Sequence, residues 1–291
     1  MKTIKNPILG AIAGDIIGVP FEWYCRRGLQ HPRGFKLFSE DSTFSDDTVM
    51  TIAVAEWLLT PPFTQENLIK IMQKWGKNYR NRGYGSLFKN WLFEKNPEPY
   101  GSYGNGSAMR VSPVGCVAKS LNETLILAEQ SASVTHNHPE GIKGALAVTD
   151  AIFMCRYYFG GFFGDYEAPI DDNPKEIKKR IKAHIEREHG YDLSKTLDEI
   201  RPSYRFDVSC QGSVPQAITA FLESVDFEDA IRNAISIGGD SDTIAAITGS
   251  IAEAAYGIPD WIKEKAYSFL DEPLKDVLRR WKKFVPHQFP G

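Results

Sequence analysis

Asp46-Asp47-Thr48 near the start of the chain and Asp240-Ser241-Asp242-Thr243 near its end each run straight into an Ala-rich stretch of helical periodicity. Any fold this sequence adopts must therefore begin two helices on clustered carboxylates, nearly two hundred residues apart. Asp, Ser and Thr are favoured N-caps and acids in a first turn suit the helix dipole, so a single one of these residues needs no ligand to explain it. Caps do not account for three or four consecutive oxygen side chains, twice, with Gly238-Gly239 ahead of the second cluster to let backbone approach closely. Clustered carboxylates repel one another unless a cation lies between them. Brought together, the two clusters would form one metal site. Its carboxylate, hydroxyl and carbonyl oxygens suit Mg²⁺, Mn²⁺ or Ca²⁺, whereas zinc or copper would ask for several His or Cys side chains. Magnesium or manganese is the expectation.

The pattern elsewhere is helical. Apolar residues recur at three and four in Val49, Ile52, Ala53 and Trp57, in Leu68, Ile71, Met72 and Trp75, and in Leu125, Leu127, Ala128 and Ala132. Further helical patterns cover about 139–158, 174–189, 213–224, 227–236, 243–256 and 260–283, and no series of alternating strands with hairpin turns occurs. Gly10, Gly14 and Gly18 fall at helical spacing on one face of residues 7–18; since each glycine costs up to about 1 kcal/mol in a helix, they imply close packing of a second helix or a wide turn near Gly18-Val19-Pro20. Residues 160–173 read as an irregular loop, whose Asp165, Glu167, Asp171 and Asp172 do not match a calcium-loop pattern. The charged segment Pro174–His189 that follows, striped by Ile177, Ile181 and Ile185, reads as a surface helix stopped by Gly190. The expected fold is all-α: a compact, single-domain helical bundle over 1–291, with an excursion and surface helix at about 160–210 and a cleft formed by helix N-termini and loops.

At 291 residues such a chain can bury roughly 75% of its unfolded surface, enough to build a deep cleft. A net charge of −3 and a pI near 6.1 give no global attraction to nucleic acid or anionic membrane. Cys25, Cys116, Cys155 and Cys210 are far apart and form no CxxC pair, so they read as reduced core thiols. Asp15 interrupts the apolar run after Lys2 and Lys5 too early for a signal peptide, and no uncharged apolar stretch is long enough for a membrane span. A cytoplasmic protein without membrane partners is expected, and a monomer, since no heptad run demands a coiled-coil partner.

Three further segments join the two clusters: Gly10-Ala11-Ile12-Ala13-Gly14-Asp15 with Pro20-Phe21-Glu22, Tyr103-Gly104-Asn105-Gly106-Ser107-Ala108-Met109-Arg110, and Thr135-His136-Asn137-His138-Pro139. Together, in this order over about residues 7–260, they resemble the ADP-ribosylglycohydrolase family. The resemblance implies an all-helical hydrolase that removes ADP-ribose from modified targets with a pair of Mg²⁺ or Mn²⁺ ions. It implies metal ligation by Ser45, Asp46 and Asp47 from one cluster and Asp240, Asp242 and Thr243 from the other, with Ser45 standing where the family usually has threonine. It further implies Glu22, at the mouth of the site, as the acid, base or water-positioning group beside Asp46 and Asp242. Gly104, Asn105, Gly106, Ser107, Met109 and His136 become the substrate contacts. Glycines in the 104–110 loop permit positive φ and expose amides to a diphosphate. Arg110 either reaches phosphate or pairs with a scaffold carboxylate. His136 and His138 have no third nitrogen or thiolate partner that would make a zinc site, and His138 caps or buttresses its turn. Glu253 stands where the family commonly has a small residue, a change expected to alter helix packing near the site, and 160–210 matches no family motif and is where leaving-group specificity could reside.

Hydrolysis at an anomeric carbon passes through an oxocarbenium-like state, helped by an activated water and by protonation of the leaving group. The ADP-ribose-bearing partner is expected to be a protein side chain, with nucleic acid or a small metabolite as other targets. Two readings stand beside the hydrolase: a non-catalytic module that binds metal and ADP-ribose, and a metal-dependent phosphoesterase that attacks the diphosphate.

Overall fold

A computed structural model of the chain describes residues 8–27, 33–160, 162–163, 166–167 and 173–288. The elements run α1 (Ile8–Cys25), α2 (Asp46–Leu58), α3 (Gln65–Asn78), α4 (Ser86–Phe93), α5 (Gly106–Met109), α6 (Ser112–Val117), α7 (Leu121–Ser133) and α8 (Pro139–Gly160), then a two-residue antiparallel ladder, β1 (Phe162–Phe163) and β2 (Tyr166–Glu167). They continue as α9 (Pro174–His189), α10 (Leu197–Ile200), α11 (Cys210–Leu222), α12 (Phe227–Ile237), α13 (Ser241–Tyr256), α14 (Asp260–Ser268) and α15 (Glu272–Gln288). The fold is all-α, as the periodicity predicts. Asp165, Asp171 and Asp172 lie outside the described residues.

The organising element is α13, buried from Ser241 to Ala255 and packed on α1, α8, α11 and α12. Its small residues make this possible: α1 and α13 cross antiparallel with Gly10 against Gly249, Gly14 against Ala245 and Gly18 against Asp242, each glycine where a Cβ would sit below 3 Å from backbone of the other helix. The glycine stripe is thus a packing seam. α1 does not turn at Pro20 but continues to Cys25. It has the length and hydropathy of a membrane span, yet it carries Asp15 and Glu22 and lies mostly inside the fold. The core of the described residues is one connected cluster reaching from Ile8 to Trp281.

One boundary differs from expectation. The pattern over 260–283 is two helices: α14 ends at Ser268, and Asp271 begins α15, accepting from the Leu274 amide at 3.4 Å, with Pro273 in the first turn where its missing N–H is harmless. Glu253 takes the amide of Gly10 at the start of α1, eleven residues or about 16 Å along α13 from Asp242, so its departure from the family pattern touches the entry to α1 and not the acidic cluster. All four cysteines are buried and none is in a disulfide.

Candidate active site

The clusters begin α2 and α13, and the antiparallel α1 seam holds those two starts together. Ser45 is the N-cap of α2 and accepts from the Asp47 amide at 3.1 Å, which leaves Asp46 and Asp47 in the first turn. Before α13, Gly238 and Gly239 take φ of 85° and 75°, and a Cβ on Gly239 would collide with the Tyr204 ring, so this approach requires glycine. Thr243 Oγ1 then donates to Asp47 Oδ2 at 3.3 Å, joining two segments 196 residues apart. One oxygen from each of Asp15, Asp47 and Asp242 lies within 4.8 Å of the others, and the same holds for Glu22, Asp240 and Asp242. Glu22, Ser45, Asp46, Asp47, Asp240, Asp242 and Thr243 line a cleft of about 540 Å³, so all six expected metal ligands and Glu22 are brought together, with Asp15 behind its wall.

Burial dominates the electrostatics. It pushes Asp46 up to about 8, with Asp15 adding repulsion, and Asp240 to about 6, moderated by a hydrogen bond from Asn105. Asp47 and Asp242 are raised well above the carboxylate range, Asp47 by burial and the Asp242 charge, Asp242 by burial and the charges of Asp240 and Glu22. Asp15 Oδ1 and Asp47 Oδ1 are buried with no hydrogen-bond donor among the described residues. Hard oxygens without enough counter-charge, two of them orphaned, fit a divalent cation that prefers oxygen ligands.

Asp15 was not anticipated as part of this centre. Its Oδ2 accepts from the amides of Ser45 at 2.9 Å and Thr48 at 3.1 Å and from the Thr48 hydroxyl, so it fixes the first turn of α2 from beneath. The signal was present: a lone acid inside a Gly/Ala run on the same helix as a glycine seam. Glu22, one helical segment further along α1, is partly exposed and bound to Arg26, whose guanidinium also lies 4.5 Å from the Phe206 ring centroid.

The expected substrate loop is rearranged relative to the sequence reading. Neither Gly104 nor Gly106 has positive φ; they are needed for space, since a Cβ on Gly104 would lie 3.2 Å from Ser102 Oγ and one on Gly106 3.1 Å from His136 Nε2. The Gly104 amide donates to Ser102 Oγ and the Asn105 amide to Val208 O at 2.8 Å, so two of the amides expected to face an anion are held by the scaffold. Asn105 lines the cleft but its Nδ2 is directed to Asp240 Oδ2 at 2.7 Å and Ser213 Oγ at 2.9 Å, orienting a carboxylate. Ser107 lies outside the cleft, fully buried, with its hydroxyl donating to Gly141 O at 2.6 Å. Gly104, Gly106, Met109 and His136 do line it. Val208 lines it too, which places the segment before α11, part of the unmatched 160–210 region, at the cleft wall.

Arg110 lines the cleft and pairs with no carboxylate among the described residues. It is buried, lowered to about 10 by desolvation, and donates to Ser131 O at 2.7 Å and Thr135 Oγ1 at 2.9 Å. Thr135 Oγ1, an acceptor from Arg110, also lies 2.7 Å from His136 Nδ1, a hydrogen bond whose direction follows the His136 tautomer. With Nδ1 turned to Thr135, His136 Nε2 faces the Gly104–Gly106 side. Burial and the Arg110 charge hold His136 well below its usual range, keeping it a neutral N–H donor. His138 accepts from the Glu140 amide at 3.1 Å at the start of α8, the buttressing role expected of it.

A helical scaffold that brings four aspartates from the starts of two helices onto one cleft, with Asp15 of a third helix behind them, makes a candidate metal centre beside a polar groove. The chain belongs to the ADP-ribosylglycohydrolase family, whose profile it matches over residues 3–285. It is similar to the ADP-ribosylhydrolase ARH3 of Homo sapiens, at 27% identity over 315 aligned residues covering 89% of this chain and 86% of that protein. It is also similar to the ADP-ribosylarginine hydrolase Tri1 of Pseudomonas putida, at 25% identity covering 91% of this chain and 74% of that protein. Among solved structures, an ADP-ribosylglycohydrolase-related protein complex superposes with a TM-score of 0.68 over 98% of this chain and 100% of that one, at 23% identity, a likeness of fold.

Proposed function

We propose that this protein is a metal-dependent hydrolase that releases intact ADP-ribose from an ADP-ribosylated target, holding two divalent cations, Mg²⁺ or Mn²⁺, through Ser45, Asp46, Asp47, Asp240, Asp242 and Thr243. The observation that carries the proposal is the Thr243–Asp47 junction, which unites the two acidic helix starts on the wall of one substrate-sized cleft. The names of the two relatives, an ADP-ribosylhydrolase and an ADP-ribosylarginine hydrolase, support the bond class.

When bound, the cations would supply positive charge to ribose hydroxyls and lower the pKa of a water. The chain's own groups do the rest. Asp15 holds Ser45 and Thr48 so that the start of α2 presents its oxygens in one orientation. Asn105 does the same for Asp240. The His136 Nε2–H, with Gly104, Gly106 and Met109 around it, donates to an oxygen of the ADP-ribose moiety and fixes its position along the groove. Glu22, beside Asp240 and Asp242 and steadied by Arg26, positions the attacking water and receives its proton as the bond at the anomeric carbon breaks.

The test is mass spectrometry of products from arginine- and serine-ADP-ribosylated peptides, incubated with the protein in Mg²⁺ and in EDTA. Intact ADP-ribose released in Mg²⁺ and not in EDTA is the expected result, and the peptide that yields it identifies the linkage. AMP with ribose phosphate would mean attack on the diphosphate. Stoichiometric binding without turnover would leave a binding module.

A further inference from the structure

We propose that Asp150, His184 and His189 form a second metal site, suited to a transition metal such as Zn²⁺ and separate from the oxygen-rich cleft, that clamps the end of α9 onto the middle of α8. His184 Nε2 and His189 Nε2 both point at one oxygen, Asp150 Oδ2, at 3.2 and 2.8 Å, and the three atoms all lie within 4.8 Å of one another. A tetrahedral zinc with bonds near 2.0–2.1 Å sets its ligand atoms about 3.4 Å apart. The His184 edge meets that spacing as it stands, and the His189 edge opens by about half an ångström when the ion replaces the bridging proton.

Two features mark the cluster as more than a charged patch. It is inside the fold, with the Asp150 and His189 side chains 2% and 5% exposed, while His184 at 12% leaves an entry from solvent. The second carboxylate oxygen, Asp150 Oδ1, lies 3.3 Å from Thr124 Oγ1 of α7, whose hydroxyl it shares with Leu121 O, so a third helix backs the ligand where outer-shell partners stand behind metal-bound carboxylates. Arg187 approaches His184 Nδ1 at 3.4 Å but is two-thirds exposed and yields to water. The donor set decides the metal: two imidazoles and one carboxylate suit a borderline ion such as Zn²⁺, whereas the cleft offers oxygen alone to Mg²⁺ or Mn²⁺. The two sites sort ions by chemistry. His184 and His189 sit at the C-terminal end of α9, which Gly190 closes in the left-handed conformation, so the ion would pin this helix beside Ile185, the last residue of its buried apolar stripe.

The experiment loads chelator-stripped, buffer-exchanged protein with Zn²⁺, and separately with Co²⁺ as a spectroscopic probe, in excess Mg²⁺ to fill the cleft. Metal content is read after gel filtration. The parent is expected to retain one zinc per chain, to show the visible bands of a nitrogen-ligated Co²⁺ centre, and to melt higher with zinc than without. His184→Gln and His189→Gln are expected to lose all three properties and to keep Mg²⁺-dependent binding of ADP-ribose. No retained zinc in the parent, or equal retention in the parent and both variants, overturns the proposal and leaves the cluster a hydrogen-bonded His–Asp–His contact. The parent measurement stands whether or not a variant folds.

Discussion

Replacing Gly14 by alanine tests whether the glycine seam builds the site. A Cβ at Gly14 would lie 2.1 Å from the carbonyl oxygen of Ala245, 2.4 Å from its carbon and 2.8 Å from the Ala246 nitrogen. Non-bonded carbons sit comfortably at about 3.5–4.0 Å, so the helices must part by roughly 1 Å or more. All three obstructing atoms are backbone, in a helix buried from Ser241 to Ala255, and none can swing aside as a side-chain tip could. Overpacking of this kind costs about 1–3 kcal/mol and occasionally more; the clash places it at or above the upper end, and alanine's better helix propensity returns up to about 1. The expected net loss is about 2–3 kcal/mol, read by urea denaturation, or a fall of very roughly 5–10 °C in Tm. Because α1 carries Asp15 and Glu22 while α13 carries Asp242, the same displacement should lower kcat/KM on an ADP-ribosylated peptide by about a hundredfold at temperatures where the variant remains folded. Gly34→Ala, where no atom lies within 4 Å of the new Cβ, is the control, expected within about 0.5 kcal/mol of the parent. A Gly14→Ala protein as stable and as active as that control would refute the seam as the device that sets the site.

Glu22→Gln should cut turnover while isothermal titration still finds ADP-ribose bound, and Asp242→Ala should abolish both turnover and tight metal binding; full activity and metal content in Asp242→Ala would sink the metal-ligand assignment. Asp15→Asn keeps an acceptor for Ser45 and Thr48 and should weaken cation binding by about 10–100-fold with a small change in stability, measured by Mn²⁺ titration. In metal-free protein the raised carboxylates bind more protons folded than unfolded, so their contribution is fully present below pH 3.8 and is lost as pH rises through about 6 for Asp240 and about 8 for Asp46. Urea midpoints should therefore show that added Mg²⁺ stabilises the protein far more at pH 8 than at pH 5; an equal increment at both would contradict this charge assignment.

Much of the site was legible because its chemistry is dense in sequence: consecutive oxygen side chains at two helix starts, Gly238-Gly239 before one of them, and Glu22 shortly after the glycine stripe. The long helices were legible for a different reason, since burial on one face imposes a period that three or four residues already reveal. The direction of side chains was not. Nothing in Tyr103–Arg110 says that the Ser107 hydroxyl turns to Gly141 or that Asn105 serves Asp240, because both partners are contributed by distant segments. A lone acid in an apolar run marks Asp15 as unusual but does not name its partners on α2, and the break at Asp271 is masked because the apolar period runs across it while the Asp-Glu-Pro start signal occupies only three positions.

Those distant partners explain how a cluster of like charges persists in one place. Left to electrostatics, the aspartates of the cluster would separate, since burial and the neighbouring carboxylates both disfavour the ionised forms of Asp47 and Asp242. They stay together because the α1–α13 crossing admits no slack at Gly10, Gly14 and Gly18, and because Asp15 ties the first turn of α2 to that same α1. Packing thus enforces an arrangement that a cation would then stabilise, and a divalent ion would find the carboxylates already gathered. On the two proposals above, the order would matter for selectivity: a preformed oxygen cage would discriminate by the size and hardness of the ion and the imidazole pair on α9 by donor type, so one chain would hold two kinds of metal without exchanging them.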